Sequence, residues 1–274
     1  MTKNYTQAPL PFQGQKRKWN GEFKQALRHF DDCNVFVDLF GGSGLLSHFT
    51  HTQRPDAVVI YNDFDGYHSR IANIPRTNAL LADLRTMLQG YHDSKMIREP
   101  LRTAILERIL EDERTGMVDY ITLSSSLLFS MNYATSYEDL RKNTLYNNIR
   151  QTDYNADGYL DGIEVVRHDY RDLFNRWRGR PNVCFFIDPP YLSTDAATYT
   201  NYWRLKDYLD VLHTLKDTNY FYFTSNKSSI VELCDWLEQN YDACNPFAGA
   251  VRRETASRMN YNSTYTDIML FKHL

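Results

Sequence analysis

Asn182–Ile187 reads NVCFFI and stops at Asp188-Pro189-Pro190-Tyr191. Runs of this kind constrain the fold most. A short apolar run with no polar alternation is buried on both faces, and a strand buried on both faces belongs to a parallel sheet covered by helices. Asn34–Asp38 (NVFVD) and Ala57–Asn62 (AVVIYN) have the same form. Gly162–Val166, Tyr220–Thr224 and Tyr265–Phe271 complete the predicted strands. Leu45–His51, Gly66–Asn73, Tyr202–Leu215 and Ser228–Glu238 are the predicted helices between them, the last with Ser228 as N-cap. Strand and helix in alternation predict an α/β fold with a mainly parallel sheet.

One stretch breaks that rhythm. Residues 76–150 are rich in Leu, Arg, Glu and Ser, with Leu101, Ile105, Ile109 and Leu110 at helical spacing. The expected organisation is therefore a sheet domain from 1–75 and 162–274, carrying a mostly helical insertion at 76–161.

Composition narrows the partners. Lys plus Arg number 31 against 34 Asp plus Glu, a net charge of −3, which excludes a strongly basic polyanion binder. A nucleic acid would have to be held by local charge. Aromatic residues make up 14% of the 274, enough to fill a core and still leave rings for base stacking. Cys33, Cys184, Cys234 and Cys244 form no C-x-x-C pair and have no histidines at zinc spacing, so no metal is expected and the thiols suit a reducing cytoplasm. The start MTKNYTQAPLPF lacks an apolar signal region, and no run approaches ~18 apolar residues, so no membrane association is expected.

Three motifs carry chemistry. Phe36–Gly44 (FVDLFGGSG) takes a buried strand through Asp38 and Phe40 into Gly41, Gly42, Ser43 and Gly44 and then a helix. Glycines let a ligand approach the backbone at a strand's carboxyl end, where open α/β sheets bind ligands. The loop lacks the dinucleotide G-x-G-x-x-G spacing and the P-loop lysine. Asp63 ends the second strand, where an acid can accept from a ribose hydroxyl or cap a helix, and Asp65 could exchange roles with it. In Asp188-Pro189-Pro190-Tyr191 two prolines fix the turn and remove two N–H donors. What remains is a carboxylate, backbone acceptors and a ring, which suits a planar amine.

In order and content these motifs resemble the S-adenosylmethionine-dependent DNA adenine methylases of the alpha arrangement, the D12 family, over most of the chain. Pro11–Lys18 (PFQGQKRK) resembles the family's N-terminal motif, FVDLFGGSG its cofactor loop and YND its ribose-binding acid. His168-Asp169-Tyr170 resembles its D-F element, DPPY its catalytic motif and Phe223–Asn226 (FTSN) its following strand end. Phe12 stands where the family often has Trp, and Tyr170 where it has Phe. The resemblance implies a Rossmann-like methyltransferase sheet with a target-recognition insertion. It implies catalysis by Asp188, Pro189, Pro190 and Tyr191. It implies cofactor contacts from Phe12, Lys16, Asp38, Phe40, Gly41, Gly42, Ser43, Gly44, Asp63, Asp169, Tyr170 and Asp188. The implied reaction methylates the N6 amine of an adenine rotated out of double-stranded DNA. The alternatives are an exocyclic amine in RNA, a glutamine side chain in a protein, or an inactive DNA-binding regulator. A paired restriction nuclease and the oligomeric state, monomer or weak dimer, stay open.

Basic residues gather locally. Lys16, Arg17, Lys18, Lys24 and Arg28 face only Glu22 within 12–28. Arg167, Arg171, Arg176, Arg178 and Arg180 cluster near Asp169 and Asp172, and read as a solvated face. The expected DNA contacts are Lys16, Arg17, Lys18, Arg141, Lys142, Arg150, Asn155, Arg252 and Arg253, with Tyr133, Tyr137 and Tyr146 interleaved and Arg258 nearby. Asp153–Glu164 (DYNADGYLDGIE) matches a calcium-loop spacing, but the β-branched run after it makes a turn the better reading.

Overall fold

A computed structural model of the chain describes residues 3–129, 132–190, 204–241, 245–260 and 263–274, with backbone alone at 257–260 and 263. Its elements are α1 (Asn20–Ala26), β1 (Val35–Asp38), α2 (Leu45–Gln53), β2 (Val58–Asn62), α3 (Tyr67–Ala72), α4 (Ile74–Met87), α5 (Leu101–Glu113), α6 (Tyr120–Leu127) and α7 (Tyr137–Lys142). There follow β3 (Glu164–Val166), α8 (Tyr170–Trp177), β4 (Val183–Ile187), α9 (Leu205–His213), β5 (Asn219–Ser225), α10 (Ile230–Tyr241), β6 (Val251–Asn260) and β7 (Ser263–Lys272).

The strands form one sheet in the order β3-β2-β1-β4-β5-β7-β6. The first five are parallel, β7 returns antiparallel to β5, and β6 is antiparallel to β7. This is a mixed α/β fold of the Rossmann-like methyltransferase kind. β6 is an element the sequence pattern does not reveal. As an edge strand it presents exposed Arg252, Arg253 and Glu254 and has little apolar surface to hide. α10 begins at Ile230, so the residue before it is Ser229, and Ser228 instead closes a turn onto Ser225.

Side chains alternate across the sheet and fill two cores. Val35, Val37, Val183, Phe185, Ile187, Tyr220 and Tyr222 meet α8, α9 and α10 on one face. Phe36, Phe186, Phe221, Phe223 and Phe271 meet α1, α2 and the N-terminal segment on the other. Much of the aromatic content is used here. Phe23 of α1 packs on Phe186 and Phe221 with ring centroids 5.3 and 4.9 Å away, edge-on and tilted geometries that aromatic pairs prefer. Helices α4 to α7 lie between β2 and β3 in sequence, and their Leu80, Leu84, Ile105, Ile109, Leu123 and Leu140 join the same core as Phe36 and Phe186. α4 carries Pro75 in its first turn, where the missing N–H costs nothing, and runs across the expected boundary at 75/76. No helix among the described residues is long and apolar enough to cross a membrane.

Asn62 fixes the carboxyl ends of three strands. Its amide donates to the carbonyls of Leu39 and His168, both at 3.0 Å, and its Oδ1 accepts from His168 N at 2.9 Å. The side chain is buried, so an Asn62→Leu replacement strands three backbone groups. The expected loss is about 2–4 kcal/mol of unfolding free energy, measured by urea denaturation. A change below about 0.5 kcal/mol would show that these groups find other partners.

Candidate functional site

β1 and β4 are neighbours, so their carboxyl ends deliver Asp38 and Asp188 to one place. After β1 the chain turns tightly, with Gly44 N donating to Gly41 O at 2.7 Å. Glycine is required here by contact. A Cβ on Gly41 would lie 2.2 Å from the Tyr61 ring, and one on Gly42, at φ +51°, would lie 3.1 Å from the Phe12 ring. Both rings therefore sit where any larger residue would displace them. An open recess of about 260 Å³ results, walled by Phe12 and Gly14–Lys16 on one side, by Phe40–Ser43 on the other, with Asp188 inside.

The two acids differ in their partners. Asp38 is 1% exposed, its Oδ2 accepts from Ser47 Oγ at 2.8 Å, and its Oδ1 meets no donor among the described residues. Burial, with a smaller push from the charge of Asp188, raises its pKa to about 7. Burial also pushes Asp188 up, against the attraction of Lys16. Lys16 forms an ion pair with Asp188, donates to Gly14 O at 2.9 Å, and stands over the Phe223 ring. An orphaned buried acceptor at Asp38 and a glycine-lined backbone fit a ligand that brings its own donor, as the amino group of S-adenosylmethionine would.

Asp63 follows β2, is buried, and already has work. Its Oδ1 accepts from Tyr67 N at 2.6 Å and its Oδ2 from His68 N at 3.0 Å, which caps α3. Tyr61 hydroxyl lies 2.9 Å from Asp63 Oδ1 and 2.7 Å from the Gly42 carbonyl, tying the acid to the glycine loop. Phe64 beside it is 48% exposed, and Asp65 is exposed as well. Asp169 caps α8 through Arg171 N at 2.8 Å and is gripped by the Arg171 fork, which holds its carboxyl below the usual range. The Tyr170 ring lies against Phe40, centroids 5.0 Å apart. Pro189 is buried and Pro190 half-buried, whereas Tyr191 lies outside the described residues, as do Cys244 and the Arg258 side chain.

The expected DNA contacts are dispersed. Arg17 and Lys18 are exposed in a 3-10 turn beside Lys16. Arg141 pairs with Glu138 at 2.5 Å, and Lys142 ends α7. Arg150 stacks over Tyr154 and bonds Thr152 at 2.8 Å. Arg252 pairs with Glu254 at 2.8 Å and Arg253 with Glu22 at 3.7 Å on the sheet edge. Asn155 accepts from Tyr5 hydroxyl at 3.2 Å and from Asp157 N at 3.1 Å, so it shapes a turn. The calcium-loop spacing leads straight into β3, without the helix an EF-hand places there. A different group of ligand-type side chains does converge: Asp32, Cys33 and His273, with His273 Nε2 2.7 Å from Asp32 Oδ1. No sequence spacing reveals it, since Cys33 and His273 are distant in the chain.

Residues that sequence reasoning missed are the polar groups that hold the recess. Asn62, Tyr61, Tyr67 and Arg70 belong to this set. Their only signal was position, each lying within ten residues of the Asp63 motif.

Comparison with known proteins completes the picture. The family described as D12 class N6 adenine-specific DNA methyltransferase matches residues 12–219, from the Phe12 wall of the recess to the start of β5. A protein of Haemophilus influenzae named "Putative methyltransferase" is 35% identical over 283 residues, covering 98% of this chain and 93% of that one. The recess, its two acids and its glycine loop lie within the matched span, and the chain belongs to the D12 class N6 adenine-specific DNA methyltransferases.

Proposed function

We propose that this protein transfers the methyl group of S-adenosylmethionine to the N6 amine of an adenine turned out of double-stranded DNA, at a defined sequence. The observation that carries this is the recess: Asp188, directly before two prolines and paired with Lys16, lines it together with the glycine loop that follows β1. When bound, the cofactor supplies a methyl already activated as a sulfonium.

The residues then divide as follows. Gly41, Gly42 and Gly44 let the backbone approach the cofactor, Ser43 lies in the same turn, and Asp38 Oδ1 accepts from the amino acid end. Phe12, Phe40 and Tyr170 give flat apolar contact, and Asp63 and Asp169 accept from the sugar and the base while keeping their helix caps. Asp188 and the Pro189 carbonyl accept the two N–H bonds of the target amine. Pro189 and Pro190 lack N–H groups, so no backbone donor of theirs competes for those acceptors. Tyr191 stacks on the base. Arg17, Lys18, Lys142 and Arg150 hold phosphates, with the 76–161 insertion contributing base contacts. A cytoplasmic site of action follows from the DNA substrate.

Lys16 has a specific place in this scheme. Its charge and hydrogen bond favour the accepting carboxylate form of Asp188, against the burial that raises the acid's pKa. The incoming amine replaces the ammonium as donor. This favours an amine substrate but does not separate DNA from RNA or from a glutamine amide. Labelled methyl transfer to unmethylated duplex DNA, with RNA and protein as parallel acceptors, makes that separation. Label in RNA or protein and none in DNA would overturn the DNA reading.

Asp188→Asn should lower kcat by about 10²-fold or more, the scale for removing one charge-stabilising group, while cofactor binding measured by calorimetry persists. Turnover near wild type would remove Asp188 from the chemistry. Lys16→Met should move the acid limb of the kcat/KM profile to higher pH. The sign follows from Asp188: without the ammonium its pKa rises further, so the acceptor is lost at a higher pH. A limb that stays in place would show that Lys16 does not control Asp188.

A further inference from the structure

We propose that Arg70 is a positioning residue that locks the target-recognition insertion to the cofactor side of the recess, so that cofactor and DNA bind cooperatively. The proposal rests on the methyltransferase reading above and adds a route between its two ligands.

Arg70 sits on α3, 6% exposed, and its guanidinium reaches two parts of the chain at once. Nε lies 3.0 Å from each carboxylate oxygen of Asp119, a residue 4% exposed that caps α6 through Thr122 N at 3.1 Å. Nη2 donates to Pro11 O at 2.8 Å and to Thr122 Oγ1 at 3.2 Å. One turn earlier on α3, Tyr67 hydroxyl accepts from Leu10 N at 2.9 Å and donates to Leu10 O at 3.0 Å. Its ring meets Phe12 edge-on at 5.6 Å. Leu10, Pro11 and Phe12 are thus registered in sequence by two side chains of α3. Phe12 and Lys16 wall the recess, and the start of α3 is itself capped by Asp63.

On the other side the lever is α6. It begins at the Asp119 cap, and its end binds the loop that carries Tyr146, with Tyr146 N donating to Leu127 O at 2.7 Å. Phe129, 65% exposed, and Tyr146 lie there with ring centroids 6.0 Å apart. α6 therefore joins the buried ion pair that Arg70 ties to Pro11 to the exposed Phe129 and the half-buried Tyr146. A buried ion pair is a poor source of net stability, since desolvation offsets its attraction, whereas its directional bonds fix geometry. Arginine is required because five donors in a planar fork can hold Asp119 and Pro11 together, and a lysine ammonium cannot reproduce that fork. A ligand that fixes Phe12 then fixes α6, and DNA that fixes α6 fixes Phe12. The effect is reciprocal, as any coupling between two binding sites must be.

Affinity for fluorescent, polymerase-amplified duplex DNA, which carries no methyl groups, is measured with and without saturating S-adenosylhomocysteine. In wild type the nucleoside should tighten DNA binding by about tenfold, within the usual range for coupled sites. Arg70→Lys, which keeps the positive charge, should reduce that factor to about twofold or less, with the nucleoside affinity without DNA measured alongside as the reference. Asp119→Asn, which retains an oxygen to cap α6, should lower the melting temperature because it leaves the buried Arg70 without its counter-charge, yet in the folded protein reduce the factor likewise, and it decides the matter if Arg70→Lys fails to fold. Full coupling in either folded variant overturns the proposal. Nucleoside binding in wild type with no effect on DNA overturns the coupling and leaves the methyltransferase reading standing. No nucleoside binding at all overturns both.

Discussion

The Lys16 ammonium pairs with Asp188 and acts more weakly on Asp38, two carboxylates that burial drives toward their neutral forms. Parallel strands β1 and β4 are neighbours, so the sheet delivers Asp38 and Asp188 to the same carboxyl edge. Both acids are pushed up by burial, and the positive charge of Lys16 opposes that push at each. An acceptor that is neutral at working pH would be a poor one, so the position of Lys16 matters more than that of most surface cations. Its backbone is anchored on both sides. Upstream, Leu10 and Pro11 are bonded to Tyr67 and Arg70. Downstream, Trp19 and Phe23 are sunk into the ring cluster with Phe223 and Phe221. The aromatic core on this face thereby helps to hold the charge in place.

Much of the sheet was legible because its strands are buried on both sides and their runs are continuously apolar. β4 and β5 are the clearest cases, each buried along its whole length. β6 was not legible for the complementary reason. An edge strand with Arg252, Arg253 and Glu254 toward solvent has no apolar period to detect. Residues 76–150 break the strand–helix rhythm, but the helices there, α4 to α7, share the core of Phe36 and Phe186, which no local pattern encodes.

At the recess the sequence could place acids at strand ends but not say what each touches. Asp63 shows this. Its spacing from the glycine loop suggested a sugar, and the structure adds two helix N–H donors that use both oxygens. Asp169 is likewise a helix cap. Asn62 and Arg70 were invisible as site residues because their value comes from partners distant in sequence: His168 for Asn62 and Asp119 for Arg70. The calcium-loop spacing is the reverse case, a strong local pattern whose residues serve other ends. Asp153 pairs with Arg85, and Asn155 bonds its own turn and Tyr5.

The shared core also limits how the protein can respond to its ligands. An insertion with its own core could swing as a body on its two linkers. Here Leu80, Leu84, Ile105 and Leu123 pack in the cluster that covers the sheet, and close-packed interiors resist sliding. α3 and α6 share that core through Tyr67 and Leu123, and the hydrogen bonds of the Arg70 fork join them as well. Directional bonds weaken steeply as distance and angle depart from their optimum. The polar joint is therefore the place where a small displacement on one side is felt on the other, and the surrounding apolar core is what keeps the displacement small.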